Sequence, residues 1–437
     1  MIGYFLVALS YIYAPILLAS DGPGQKFLAL STFRVQQDHD HWANSTNLIC
    51  EPSESPFLPP SSEDSIYKFD QVNLESTPQP FRDGFFKSTC FMNANHNGPA
   101  DLCIFVNPTV NRGQGIVILA PEKEFEQSLA EGLELSDDLP NLDTNIEVVD
   151  MPEKGGKGAV ASRDIQVGED IALMRPVALV PLGHSVWSTS FGQSVRRHAI
   201  DHLPLRTRAE VARLHGEGRN EDEFISNLID VNTFTSKLST FELLGAVVVN
   251  ASRFNHDCRP NMVYNLDSRT QILRMRAFKP IAKGEELTIS CKSLLRNERE
   301  RLERRESLKR EYGFDCACSH CRMSSELQEQ SDERVSRITH FRYKAYADSD
   351  DSRFSAEEVQ EFLSLCETEN IPSCLVTSNL LAAGFYNSQG QYQKVKEHAE
   401  VAKRLGILTW GSTWDELQEV ELLLHAPAQH PSHFSRG

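Results

Sequence analysis

The chain is 437 residues long, 40% hydrophobic and 24% charged, and its 61 acidic against 44 basic side chains leave it at −17. That length allows two or three domains with a buried core, and the acidity argues against binding DNA or anionic lipid through charge alone. Basic peptides are better electrostatic partners. Ten cysteines are too dilute for a small disulfide-stapled scaffold, so their meaning lies in their spacing.

Residues 1–20 carry no charged side chain and are long enough for a secretory signal or a marginal membrane anchor. Against export stand the lack of Lys or Arg at the front, Pro15 inside the apolar run, and a weak small-residue exit at Ala19 and Ser20. An apolar first element packed on the following domain is the other reading. Asn44-Ser45-Thr46 is a glycosylation acceptor only in an exported chain.

Most of the negative charge lies early: residues 1–145 hold 19 acidic and 7 basic side chains. Residues 36–82, rich in Ser, Pro, Asn and Asp, read as linker, and 21–145 as an acidic, partly disordered region. Within it, 102–106 and 115–119 are strand candidates separated by turn formers, which suggests a hairpin of unassigned role. Residues 121–139 read as a short acidic helix with Phe125, Leu129 and Leu133 at four-residue spacing, then a polar connector.

From Ile146 short β-like runs broken by Gly155, Gly156, Gly158 and Gly168 begin a β-rich domain spanning 146–291, with a polar helical insert at 181–240. Residues 241–250 form a buried apolar segment, and strand character resumes at 272–275 and 287–290. Residues 293–312 form a charged helix with an apolar edge of Leu294, Leu295, Leu302 and Leu308, best read as a solvated face. A helical region, 324–437, follows. There Leu380, Phe385, Tyr392, Val395, Ala399 and Ala402, with Gly390 at the turn, predict one tetratricopeptide-like helix pair, which must pack on its neighbours to bury its face.

Two clusters carry chemistry. Cys316, Cys318 and Cys321 form a C-x-C-x2-C group, three thiolates where a tetrahedral structural zinc needs four ligands. Cys258, in a polar loop, is the best fourth, with His320 as a substitute; disulfides or free thiols are the bland alternative. The loop Asn255-His256-Asp257-Cys258-Arg259-Pro260-Asn261 follows the apolar segment and concentrates hydrogen-bonding groups beside the core. Such a loop suits a polar ligand, although a lone histidine is more often structural.

Gly156-Lys157-Gly158 with Ser162-Arg163-Asp164-Ile165 and Gly168-Glu169, the loop 255–261, Gly284-Glu285-Glu286-Leu287-Thr288, and the terminal cysteines agree in order and spacing with one family. Together they resemble a SET-domain protein lysine methyltransferase, over roughly 146–321. The ending and helical tail look most like the SMYD and yeast SET-five branch, without a MYND finger.

The resemblance implies an α+β class: a β-rich SET fold of small sheets with a knot-like C-terminal crossing, a helical insert, a post-SET zinc segment at 292–323 and an α-helical C-terminal region. It also implies methyl transfer from S-adenosyl-L-methionine to the ε-amine of a lysine, on a lysine-containing protein or basic peptide. Lys157 and Gly158 main chain, Asn255 and His256 would hold the cofactor, with Phe314 over its adenine. A structural Zn2+ would sit on Cys258, Cys316, Cys318 and Cys321. A monomer in nucleus or cytoplasm, without sequence-specific nucleic-acid binding, is expected.

One position departs from the pattern. The family usually carries a tyrosine bordering the methyl-transfer pore where this chain has Cys291. A thiol is a poorer hydrogen-bonding group and leaves the pore wider. Activity weakened, altered in substrate or lost is expected, with Tyr312, a second channel aromatic by resemblance, compensating in part. The competing expectation is an inactive SET domain that binds a peptide or partner; an exported protein using the fold otherwise is a third.

Overall fold

The computed structural model describes residues 77–433 except 92–101, 136–138, 140–144, 155, 183–184, 239–243, 292–299, 347–353 and 413. The apolar segment 1–20, most of the proposed linker, and Leu294 and Leu295 lie outside the described residues. Among the described residues no helix is long and apolar enough to cross a membrane.

The first strands are β1 (Gln79–Pro80), β2 (Phe86–Phe91), β3 (Leu102–Asn107) and β4 (Ile116–Ala120), followed by helix α1 (Glu122–Ala130). The hairpin expected from the sequence is β3–β4, paired antiparallel from Cys103↔Ala120 to Asn107↔Ile116. Its connection uses Asn111 and Arg112 in left-handed conformation. Here β3 and β4 are nearly continuous apolar runs because both faces are covered. Phe105, Ile116, Ile118 and Ala120 enter one core, while Ile104, Val106, Val117 and Leu119 enter another.

The hairpin is part of a larger sheet. Strands β5 (Ile146–Met151) and β6 (Gly156–Ala161) form a separate antiparallel ribbon, and β7 (Asp170–Met174) precedes β8 (Ala178–Pro181). Helices α2 (Ser190–Asp201), α3 (Leu205–Val211) and α4 (Glu221–Asn232) form the insert, before β9 (Thr233–Ser236) and β10 (Leu244–Val247). Sheet order is β1-β2-β3-β4-β8-β10-β9, antiparallel except for the parallel β4–β8 pair. The unassigned hairpin thus extends the sheet of the downstream domain. The insert helices cover one face, with Val195, Ile200, Leu228 and Ile229 in the second core.

Strands β11 (Asn255–His256), β12 (Met262–Leu266), β13 (Leu273–Ala277) and β14 (Thr288–Ile289) complete the β region: β12-β13-β7 is one sheet and β11–β14 a short parallel pair. The chain is therefore α+β. Helix α5 (Arg301–Tyr312) follows, shorter within the described residues than the charged segment predicted. Of the two described leucines of the expected apolar edge, Leu308 is buried and Leu302 is 65% exposed.

Helices α6 (Ser325–Tyr346), α7 (Ala356–Glu369), α8 (Pro372–Ser388), α9 (Tyr392–Trp410) and α10 (Leu417–His425) form the C-terminal region. The predicted helix pair is α8–α9, turning at Gly390 with φ +69°. Val263 and Phe278 of the β region join its core, and Arg276 Nη1 donates to Ile407 O at 2.9 Å.

Cys90 and Cys103 are opposed on β2 and β3 and joined by a disulfide; Cys366 and Cys374 form another. Phe125 of α1 is fully buried against Phe105, with centroids 4.2 Å apart, and edge-on to Phe85 at 4.9 Å. Phe125→Ala should cost about 3–5 kcal/mol of unfolding free energy, read from urea denaturation; a loss below about 1 kcal/mol would mean that α1 is not part of the core.

Candidate active site and metal centre

Residues 284–291 run between β6 on one side and the loop 255–261 on the other. Gly284 N–H donates to Ala161 O at 2.7 Å and Leu287 N–H to Ala159 O at 2.8 Å, while Ala161 N–H donates to Glu285 O at 2.9 Å. On the opposite side β14 pairs with β11, and Asp257 N–H donates to Ile289 O at 2.9 Å. Asn261 pins the crossing: Nδ2 donates to Glu286 O at 2.8 Å and Glu285 Oε1 at 2.9 Å, and Oδ1 accepts from Thr288 N–H at 2.9 Å.

This crossing brings Asn255 and His256 beside the glycine-rich hairpin. Asn255 Nδ2 lies 3.3 Å from Lys157 O, 2.9 Å from Glu286 Oε1 and 3.6 Å from Met151 Sδ. A Cβ on Gly158 would stand 2.8 Å from Asn255 Nδ2, so only glycine lets the two elements approach this closely. Lys157 contributes its carbonyl here, while its ammonium points outward to Asp150 Oδ1 at 2.7 Å.

His256 is buried and couples two regions. Its Nδ1 accepts from Cys291 N–H at 3.1 Å, so the proton of the neutral ring sits on Nε2, which faces Cys258 Sγ at 3.5 Å. The Tyr312 hydroxyl donates to Cys291 O at 2.7 Å, and that of Tyr264 to Ser290 O at 3.3 Å. Burial pushes the Tyr264 phenol upward, with Cys291 adding to it, so this hydroxyl stays protonated. Phe314 lies 5.8 Å from the His256 ring and 6.4 Å from that of Tyr312. Gly313, at φ +77°, ends α5 and turns the chain toward Phe314.

Cys258, Cys316, Cys318 and Cys321 are buried free thiols whose sulfurs all lie within 4.8 Å of one another. Cys258 Sγ is 3.9 Å from Cys316 Sγ and 3.6 Å from Cys321 Sγ. A tetrahedral ion with metal–sulfur bonds of about 2.3 Å sets its ligands about 3.8 Å apart, so this donor set suits zinc. Hydrogen bonding to Cys258, then to Cys318 and Cys321, and burial push the Cys316 thiol up. His320 lies outside this group, with Nε2 3.2 Å from Ser331 Oγ. Among the described residues, one other group has metal-ligand types close together, Cys90, Cys103 and Glu122. Its sulfurs form a disulfide and its carboxylate holds Lys87 Nζ at 2.9 Å.

Comparison with known proteins agrees with this geometry: a model of the SET domain matches residues 156–292. The chain carries a SET domain. Histone-lysine N-methyltransferase Smyd1 of Mus musculus is 37% identical over 112 residues, 22% of this chain and 22% of its own. Protein-lysine N-trimethyltransferase SMYD5 of Mus musculus is 30% identical over 140 residues, 32% of this chain and 31% of its own. Histone-lysine N-methyltransferase set5 of Schizosaccharomyces pombe is 24% identical over 196 residues, 45% of this chain and 56% of its own. The matches thus span from about a fifth to just over half of these curated relatives. Among solved structures, the Neurospora SET domain protein DIM-5, a histone lysine methyltransferase, aligns over 38% of this chain and 65% of its own at 17% identity, with a TM-score of 0.22.

Two features near this site were not anticipated from sequence. Tyr264 sits in strand β12, where its edge-on contact with Phe234 at 5.0 Å is ordinary packing, and only the crossing brings its hydroxyl to Ser290. The second is a buried ion network around Glu369, at the end of α7. Its carboxylate accepts from Arg259 Nη2, from Arg334 Nε at 2.7 Å and from Ser331 Oγ at 3.0 Å, while Arg259 Nη1 donates to Cys258 O at 2.8 Å. The C-terminal helices are thereby tied to the cysteine loop. Glu369→Ala leaves Arg259 buried without its counter-charge, and about 3 kcal/mol should be lost. Chemical denaturation measures it; a change under 1 kcal/mol would show the network to be dispensable.

Proposed function

We propose that the protein is an S-adenosylmethionine-dependent protein lysine N-methyltransferase with a structural zinc. The observation that carries this is the convergence at Cys291: the same short segment is held by His256, which adjoins Asn255 and the hairpin, and by the hydroxyl of Tyr312. The main chain of Lys157 and Gly158, with Asn255 and His256, would hold the cofactor. The donor set fits such a polar ligand, since Asn255 offers a side-chain amide beside the Lys157 carbonyl. Phe314 would cover the adenine. When bound, the cofactor supplies an electrophilic methyl group on a sulfonium sulfur.

The residues themselves have two tasks, alignment and exclusion of water. Tyr312 and Tyr264 hold the carbonyls at 290 and 291 toward the protein interior and wall the channel with their rings. The lysine amine must arrive neutral, its proton lost to solvent before the apolar walls close around it. Oxygen acceptors directed at a polarised methyl would then favour the in-line geometry.

Zinc would be held by Cys258, Cys316, Cys318 and Cys321. Its contribution is structural: closing the loop fixes Tyr312 and Phe314, both packed against the cysteines. The substrate proposed is a lysine-bearing basic protein, histone or not, consistent with the chain's acidity.

Cys291 favours a second reading, a SET domain that binds a basic peptide without transferring methyl groups. Transfer of labelled methyl from the cofactor to histones and to a cell lysate separates the two. Labelling by wild type supports the enzyme; labelling only after Cys291→Tyr supports the binding module; none from either form, with zinc present, overturns the enzymatic reading. Cys318→Ser should release the zinc, measured by elemental analysis, and weaken cofactor binding at least tenfold in calorimetry. Unchanged metal content would sink the zinc assignment.

A further inference from the structure

The hairpin β5–β6 carries a side chain into the cradle assigned above to the cofactor. Met151, the last residue of β5, pairs with Gly156 across the hairpin. Its thioether folds back over Gly158, where an added Cβ would strike Sδ and stand 2.9 Å from Cε, and Sδ lies 3.6 Å from Asn255 Nδ2. Gly158 and Asn255 are two residues proposed to hold the cofactor, and the methionine side chain lies against both.

The rest of β5 does not explain this placement. Among the described residues β5 pairs only with β6, its Glu147, Val148 and Asp150 are exposed, and Met151 belongs to no core cluster. Two ion pairs close the hairpin around it: Lys154 with Glu286, reaching across to the threaded segment, and Lys157 with Asp150. A methionine has three rotatable bonds and fills irregular space without fixing it. Such a side chain can leave as readily as it enters.

We propose that Met151 gates the cofactor site: its side chain covers Gly158 and Asn255, and the cofactor reaches them only when this side chain swings out. This rests on the cofactor assignment proposed above. The gate lowers apparent affinity by the fraction of molecules in which it stands open. Removing it raises affinity without adding a contact.

The test is calorimetric titration of the full chain with S-adenosylhomocysteine, comparing wild type, Met151→Ala and the isosteric Met151→Leu. Met151→Ala should bind about five- to tenfold more tightly, and Met151→Leu within about twofold of wild type. Wild-type binding with Met151→Ala equal or weaker overturns the gate and leaves the cofactor assignment standing. No binding by any form overturns the assignment and the gate with it. A measurement on wild type guards against misfolding of the variants: hydrogen peroxide should oxidise Met151 faster once ligand has displaced its sulfur, as read by mass spectrometry. Oxidation slowed or unchanged by bound ligand overturns the gate.

Discussion

The site depends on one buried amide. Asn261 uses both ends of its side chain on the segment that threads through the β region, accepting from Thr288 N–H and donating to Glu285 and Glu286. In a buried setting an amide so satisfied is worth more than its exposed counterpart, and one left unsatisfied costs the full desolvation penalty. No apolar side chain of similar volume could register the threaded segment in this way. Register matters because it places Ser290 and Cys291, whose main chain meets His256, Tyr264 and Tyr312.

From the crossing, a chain of contacts leads to the cysteines. Cys291 N–H fixes the acceptor nitrogen of His256, which fixes its tautomer, which turns the remaining N–H toward Cys258. Cys258 joins the thiols of the later segment, and Arg259 carries the linkage on to Glu369 and the C-terminal helices. A change at the thiols therefore has a path to the channel through His256 alone, with no movement of β11 required. The C-terminal helices brace the back of the same loop, so their tilt bears on Tyr312 and Phe314 through the cysteines rather than by direct contact with the channel.

What could be read in the sequence follows from how local each signal is. Asn255 to Asn261 and Gly284 to Thr288 are short, contiguous and chemically unusual, and the structure brings them together. Cys258 was found from outside its cluster because few other cysteines compete for the role. By contrast, the pairing of β4 with β8 joins residues about 60 positions apart by a parallel contact that no periodicity announces. The apolar runs in β3 and β4 showed strands but not that both faces are buried, so their place in the larger sheet was missed. The pairing of Cys90 with Cys103 had no local spacing signal, since they lie 13 positions apart, and Tyr264 gave none because its hydroxyl acts only across the crossing. Glu369 gave no signal, for a single acid at a helix end is ordinarily solvated.

Cys291 can now be weighed in its surroundings. Three hydrogen bonds hold the main chain here: the Cys291 N–H goes to His256, its carbonyl accepts from Tyr312, and Tyr264 takes the neighbouring carbonyl. None of these depends on the side chain, so a cysteine leaves the crossing, the histidine tautomer and both tyrosines where a tyrosine would. The substitution therefore leaves these main-chain bonds available and changes the volume and hydrogen-bonding character beside them. In the proposed channel, a smaller side chain beside two phenols would admit a bulkier or differently placed amine more readily than it would abolish alignment. On that physical ground, if the proposed activity holds, an altered preference among lysine substrates follows more naturally from Cys291 than a collapsed site.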